Sequence, residues 1–207
     1  MKLYLSSFRM GDRFGELLEA LPTGGKVGVI SNALDFISAR DRAAYAAKVF
    51  DPIDVFRSEG FDAADLDLRT FFGSPTELAD ALQVLDLVWA VGGNSFLLRR
   101  AMRQSGFDQL IPGEVATGEL IYGGWSAGTV AAGPSLRGIE FMDDPSVLAD
   151  GYPTEPIWEG LGLVDYAVVP HFRSDHPEAA AADKAIAAMV DSGLPFRTLR
   201  DGEAIII

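Results

Sequence analysis

The chain has 207 residues, 48% of them hydrophobic and 23% charged, with 22 Gly, 11 Pro and no Cys; this is an ordinary globular composition for one domain, or two small ones, that buries about 70% of its unfolded surface. The lack of cysteine excludes disulfide scaffolds, thiolate metal sites and thiol nucleophiles, and with only His171 and His176 a three-histidine zinc site is excluded as well. Seventeen Lys and Arg against thirty Asp and Glu leave a net charge of −13, whose field repels phosphate backbones and anionic lipid, so neither nucleic acid nor membrane is an expected partner.

The first apolar segment, between Lys2 and Arg9, is too short for a secretory signal, and no run approaches the ~18 apolar residues of a membrane span. A soluble, cytoplasmic protein is therefore expected. In chain order, strands are predicted at Lys2–Ser6, Lys26–Ser31, Asp65–Leu68, Leu85–Val91, Glu119–Tyr122 and Asp165–Val169, and helices at 12–20, 40–59, 75–83, 95–104, 127–132 and 177–192. This alternation is the pattern of an α/β domain with a mostly parallel sheet flanked by helices. Ser74-Pro75-Thr76-Glu77 predicts a helix start closed by a capping box. The stretch from Pro134 to Gly162 has no clear period, and unpatterned loops of that length usually serve function. Asp201-Gly202, between the apolar runs Phe196–Arg200 and Glu203–Ile207, predicts a C-terminal β-hairpin. The chain stops at Ile205-Ile206-Ile207 without a polar terminator, as a chain cut short there would.

Gly124-Trp125-Ser126-Ala127-Gly128 follows the apolar run Leu120-Ile121-Tyr122 and precedes a small-residue segment. This is G-x-S-x-G in the strand–turn–helix context of a nucleophile elbow. A sharp turn there lifts the Ser126 hydroxyl above the sheet edge, and the Ala127 N–H at the helix start faces a developing oxyanion. A second oxyanion donor is expected from the glycine turn in Val91-Gly92-Gly93-Asn94. His171 closes the apolar run Tyr166–Pro170, at the strand edge where open α/β sheets bind ligands, and is the expected base; His176, before Pro177, reads as a solvated turn residue. For the group that orients the imidazole, Glu140, Asp143, Asp144 and Asp150 all lie between Ser126 and His171. No G-x-G-x-x-G or G-K-[ST] phosphate loop is present.

Val91-Gly92-Gly93-Asn94-Ser95-Phe96-Leu97-Leu98, the serine elbow with Pro134 eight residues beyond Ser126, Gly160-Leu161-Gly162-Leu163 and Pro170-His171-Phe172 together resemble the peptidase E family of serine peptidases, which includes aspartyl dipeptidases and, more distantly, cyanophycinases. The likeness runs over essentially the whole chain, 1–207. It implies a single α/β domain, flavodoxin-like or class I glutamine amidotransferase-like, that uses a Ser-His-Asp triad without a cofactor to hydrolyse short peptides from their amino end. Carried over residue by residue, Ser126 is the nucleophile, His171 the base, and Gly93 and Ala127 the oxyanion donors. Asn94 falls at a substrate-contacting position. The family's triad Asp stands two residues before a proline, the place of Asp143 in Asp143-Asp144-Pro145, with Asp144 the alternative beside it. The aspartyl dipeptidases carry Gly-Glu-Thr-Arg after the histidine to hold a substrate Asp side chain; this chain lacks it, and Arg173 is the nearby cation that could contact substrate. The alternatives to this reading are a small esterase or amidase with the same triad, or a non-catalytic small-ligand binding module on this scaffold.

Overall fold

The computed structural model describes residues 1–48 and 50–207, with the side chains of all of these except Ala39 and Tyr45. A six-stranded sheet is built from β1 (Leu3–Ser6), β2 (Lys26–Ile30), β3 (Asp62–Asp65), β4 (Leu87–Ala90), β5 (Ile121–Trp125) and β8 (Ala204–Ile206), in the order β3-β2-β4-β5-β1-β8. All pairings are parallel except the antiparallel addition of β8 to β1. The inner strands read as continuous apolar runs because helices cover both of their faces: all four residues of β1 and of β4 are buried, as are the last four of β2. The edge strand β3 buries only Ala63 and keeps its aspartates in water, a composition that discourages further strand pairing.

Helices α1 (Phe14–Ala20), α2 (Ala39–Lys48), α3 (Pro52–Ser58), α4 (Pro75–Leu82), α5 (Ser95–Ser105) and α6 (Phe107–Thr117) fill the crossovers before β5. The predicted 40–59 helix is two: the Asp51 carboxylate accepts from the Ile53 N–H at 2.8 Å and Pro52 takes the first position of α3, the N-cap arrangement that starts a new helix. Its position 49 lies outside the described residues. Helix α4 begins at Pro75 as predicted, but Ser74 makes no side-chain cap bond, so the capping box does not form.

After β5 come α7 (Ala127–Ala131), the long 134–162 segment, β6 (Ala167–Val169), α8 (Ala179–Ser192) and β7 (Phe196–Thr198). Strands β6 and β7 pair in parallel around α8, giving a second sheet of two strands. This corrects the predicted C-terminal hairpin. Asp201-Gly202 does turn the chain, with the Glu203 N–H bonded to Arg200 O, but β7 on one side pairs with β6 and β8 on the other pairs with β1. The 134–162 segment is strapped onto α5 by two fully buried arginines. Arg100 donates to the carbonyls of Pro145, Val147, Thr154 and Glu155, and Arg99 to that of Glu159 and to the Asp108 carboxylate.

Candidate active site

The pairing of Ala90 with Gly124 and of Ser6 with Trp125 sets the ends of β4, β5 and β1 side by side. At the middle of these ends Ser126 links β5 to α7 with φ 47° and ψ −113°, a backbone conformation that costs a non-glycine residue about 1–3 kcal/mol and needs the surroundings to hold it. The hold is visible. The Ser126 N–H donates to the carbonyls of Ser6 (3.3 Å) and Ser7 (3.1 Å), and the Thr129 hydroxyl reaches the Ser6 carbonyl at 2.7 Å. Helix α7 crosses β4 so closely that a Cβ on Gly128 would lie 2.1 Å from the Ala90 carbonyl oxygen. Ala127 is the first residue of α7, where an N–H has no acceptor within its own helix. Gly93, at φ 138°, is tied to glycine because a Cβ would stand 2.6 Å from Ala33 O.

His171 follows β6, is 1% exposed, and also sits at positive φ, 62°. Its N–H donates to the Ser7 hydroxyl oxygen at 2.8 Å, and its Nδ1 stands 2.7 Å from Asp201 Oδ1, which also accepts from the Ser7 hydroxyl at 2.8 Å. The Asp201 N–H in turn donates to Ser174 Oγ at 2.8 Å. With a carboxylate accepting at Nδ1, the proton of the neutral ring belongs there and Nε2 presents its lone pair. Burial pushes the His171 pKa below its ordinary value; Asp201 opposes that push, and His176 adds to it.

The structure therefore brings Ser126, His171 and Gly93 to one cavity but leaves the expected Asp143 out of contact with the imidazole. Asp143 Oδ2 accepts from the Ser95 N–H at 2.9 Å, at the start of α5, while exposed Asp144 accepts from Ser146 at 2.8 Å. Asp143 sits there because the strap lies over the amino end of α5, where unpaired N–H groups attract a carboxylate. Asn94 caps the same helix: its Oδ1 accepts from the Leu97 N–H and its Nδ2 donates to Asp144 O, both at 2.9 Å, so both ends of the side chain are taken. Arg173 is exposed and lies over the Phe172 ring at 4.8 Å, away from the cavity lining. His176 is no solvated turn residue. Its ring stacks on that of His171 at 3.7 Å and 7°, and its Nδ1 accepts from the Glu178 N–H at 3.2 Å.

Three contributors escaped the sequence reading: Ser7, Asp201 and Glu178. Asp201 lay in plain view as the first residue of an Asp-Gly turn, but nothing local ties that turn to His171, 30 residues earlier. Glu178 is the N-cap residue of α8 yet makes no side-chain cap bond; its Oε2 lies instead 3.7 Å from His171 Nε2. Among the described residues no hydrogen bond joins Ser126 Oγ to His171, although both line the cavity. Such contacts are often long without substrate and tighten when it binds.

The cavity, of about 770 Å³, runs along the carboxyl ends of the parallel strands from Ser126, His171 and Glu178 to Asp65 at the end of β3. Its two lining arginines are already paired: Arg42 with Asp35 at 2.7 Å, and Arg69 with Asp67 at 2.6 Å. His171, His176 and Glu178 each offer a ligand atom within 4.8 Å of the others. With the two rings stacked face to face, an ion between them would lie outside the plane of both, where ring nitrogens bind poorly. A stacked histidine pair beside a carboxylate describes this cluster better than a metal site does.

The model of peptidase family S51 matches residues 37–207. An uncharacterised peptidase of Pasteurella multocida is 31% identical over 159 residues, 77% of this chain and 72% of that protein. Peptidase E of Streptomyces coelicolor is 30% identical over 187 residues, 84% of this chain and 73% of that one. The crystal structure of a putative peptidase E from Listeria monocytogenes superposes with a TM-score of 0.78 at 26% identity, covering all of this chain and 94% of the other. With the family's match extending across both the serine elbow and His171, the chain belongs to peptidase family S51 and is a serine-type peptidase.

Proposed function

We propose that the protein hydrolyses dipeptides or short peptides at their amino end, with Ser126 as nucleophile, His171 as general base and Asp201, in place of Asp143, as the group that orients the imidazole. The observation that carries this reading is the His171–Asp201 bond of 2.7 Å facing the cavity that contains the strained Ser126. Ser126 Oγ attacks the scissile carbonyl carbon while His171 Nε2 takes its proton; the carbon–nitrogen bond then breaks, and the amine leaves with that proton. A water molecule gives a proton to Nε2 and attacks the acyl ester, and Ser126 recovers its proton as the acid departs. The N–H groups of Gly93 and Ala127 receive the oxyanion of both tetrahedral intermediates.

Selectivity for an amino-terminal Asp has little to rest on. Arg42 and Arg69 already serve carboxylates of the chain, and Arg173 stands outside the cavity. Asp-X and neutral X-X dipeptides should then differ by less than roughly a hundredfold in kcat/KM, about 3 kcal/mol. The test is a fluorophosphonate probe together with a dipeptide panel varied at the first residue. Labelling at Ser126 with turnover of neutral dipeptides is the expected result; an unlabelled Ser126 contradicts the reading.

A further inference from the structure

Glu178 has an obvious local task that it does not perform. A carboxylate at the amino end of a 14-residue helix is favoured by the helix dipole, yet this one makes no side-chain bond to the helix's free N–H groups and faces the cavity. It has no Arg or Lys partner among the described residues; its one ionic neighbour is His171, whose Nε2 is 3.7 Å away. His171 and His176 stand beside it, and the charges of Asp143 and Asp201 reach it, a set with negative charge in excess. The whole cavity repeats the imbalance, with six carboxylate residues against two arginines, both of them already paired. A cavity so charged favours a ligand that brings a cation.

Resting on the reading of Ser126 and His171 as nucleophile and base, we propose that Glu178 receives the α-ammonium group of the substrate's first residue and so confines cleavage to the bond next to a free amino terminus. The distances fit. In an amino-terminal residue the ammonium nitrogen lies about 2.5 Å from its own carbonyl carbon, and that carbon must approach the Ser126 oxygen to about 3–3.5 Å for attack. A group serving the ammonium is therefore needed near the histidine nitrogen that handles the serine proton, and Glu178, 3.7 Å from it, is within reach. The Glu178 side chain is 41% exposed before substrate binds; an acylated amino terminus carries no charge and would cover this carboxylate without pairing it, the situation in which a polar site rejects an analogue most strongly.

The proposal is tested by binding, so that its failure is separable from failure of the hydrolytic reading. Calorimetry on Ser126→Ala would compare a neutral dipeptide with its N-acetyl form, and repeat both on Ser126→Ala/Glu178→Gln and Ser126→Ala/Glu178→Asp, with thermal melting to confirm folding. A preference of at least about thirtyfold for the free amine is expected, as for a charge pair that the bound peptide itself covers. That preference should fall below about threefold with Gln and be partly kept with Asp. An equal preference in the Gln variant, or no binding of the free dipeptide to Ser126→Ala, overturns the proposal. In the catalytically intact background Glu178→Gln should raise KM for free dipeptides far more than it lowers kcat. A loss in kcat alone would make Glu178 a partner of the His171 imidazolium instead. Fluorophosphonate labelling of Ser126 in the same Glu178→Gln protein reports the nucleophile independently: labelling without amine selectivity sinks this proposal only, and absence of labelling in the wild type sinks the hydrolytic reading.

Discussion

The serine elbow and the His171–Asp201 pair face one cavity but are built in opposite ways. The elbow is a single continuous segment, β5–Ser126–α7, whose geometry follows from small residues crossing β4 at contact distance. The pair is assembled from two turns, one at the end of the two-stranded sheet and the other bridging that sheet to the main one. What joins the halves is Ser7: its carbonyl accepts from the Ser126 N–H, and its hydroxyl accepts from the His171 N–H and donates to Asp201. A nucleophile set by local backbone can be read from a motif. An orienting carboxylate set by where two sheets meet cannot.

Removing the reacting groups should erase this contrast, since both halves are needed for any turnover. Ser126→Ala and His171→Ala should each lower kcat by on the order of 10⁶, as triad members acting as a unit do, measured on dipeptides with folding checked by circular dichroism. A variant retaining more than about a hundredth of wild-type kcat would not have lost a triad member. Ser7→Ala tests the joint between the halves. It leaves the buried His171 N–H without an acceptor, at a cost of about 1–3 kcal/mol in stability, and loosens the ring position enough for a kcat loss of roughly 10–100-fold. Unchanged kcat would show that the two halves hold without it.

The same division governs what was legible in the sequence. Strands β1, β2 and β4 fall within two residues of the predicted runs because unbroken apolar segments report burial on both faces. Strand β3 is displaced, lying at Asp62–Asp65 instead of Asp65–Leu68, since an edge strand with one buried residue carries almost no hydrophobic signal. Helix α6 went unseen behind Pro112 and Gly113 in its interior. The elbow turn at Ser126, the Gly92-Gly93 turn after β4 and the strand-end place of His171 are legible from motif and strand context. Asp143 is expected from the family likeness by its place two residues before Pro145, but the segment that carries it is held on α5 by the buried Arg99 and Arg100, whose burial no local pattern announces.

Smaller effects sharpen the comparison. His176 lies against the pair and not the elbow, and it lowers the His171 pKa by its charge. The neutral imidazole is the working form, so activity falls as pH drops through the His171 pKa, which lies below the ordinary ~6.5. His176→Ala removes a lowering influence and uncovers the ring, so this acid limb should move toward higher pH, with less than about a fivefold change in plateau kcat. A limb moving toward lower pH would contradict the assignment. Glu178, pushed up to about 7 by burial and by Asp143 and Asp201, binds an ammonium best when ionised, so KM for free dipeptides should fall as pH rises through that value. Arg173→Ala should be nearly silent in kcat/KM for Asp-X and neutral substrates alike, because its side chain rests on Phe172 outside the cavity.

The central claim is that Ser126, His171 and Asp201 act as one unit while Asp143 serves the α5 helix, and kcat of Asp201→Asn set beside Asp143→Asn tests it most directly. An amide at the orienting position favours the wrong imidazole tautomer and should cost roughly 10⁴ in kcat. Asp143→Asn should cost less than about tenfold in kcat, with stability lowered by about 1 kcal/mol through the weakened cap. The reverse ranking, with Asp143→Asn inactive and Asp201→Asn near wild type, would contradict the account.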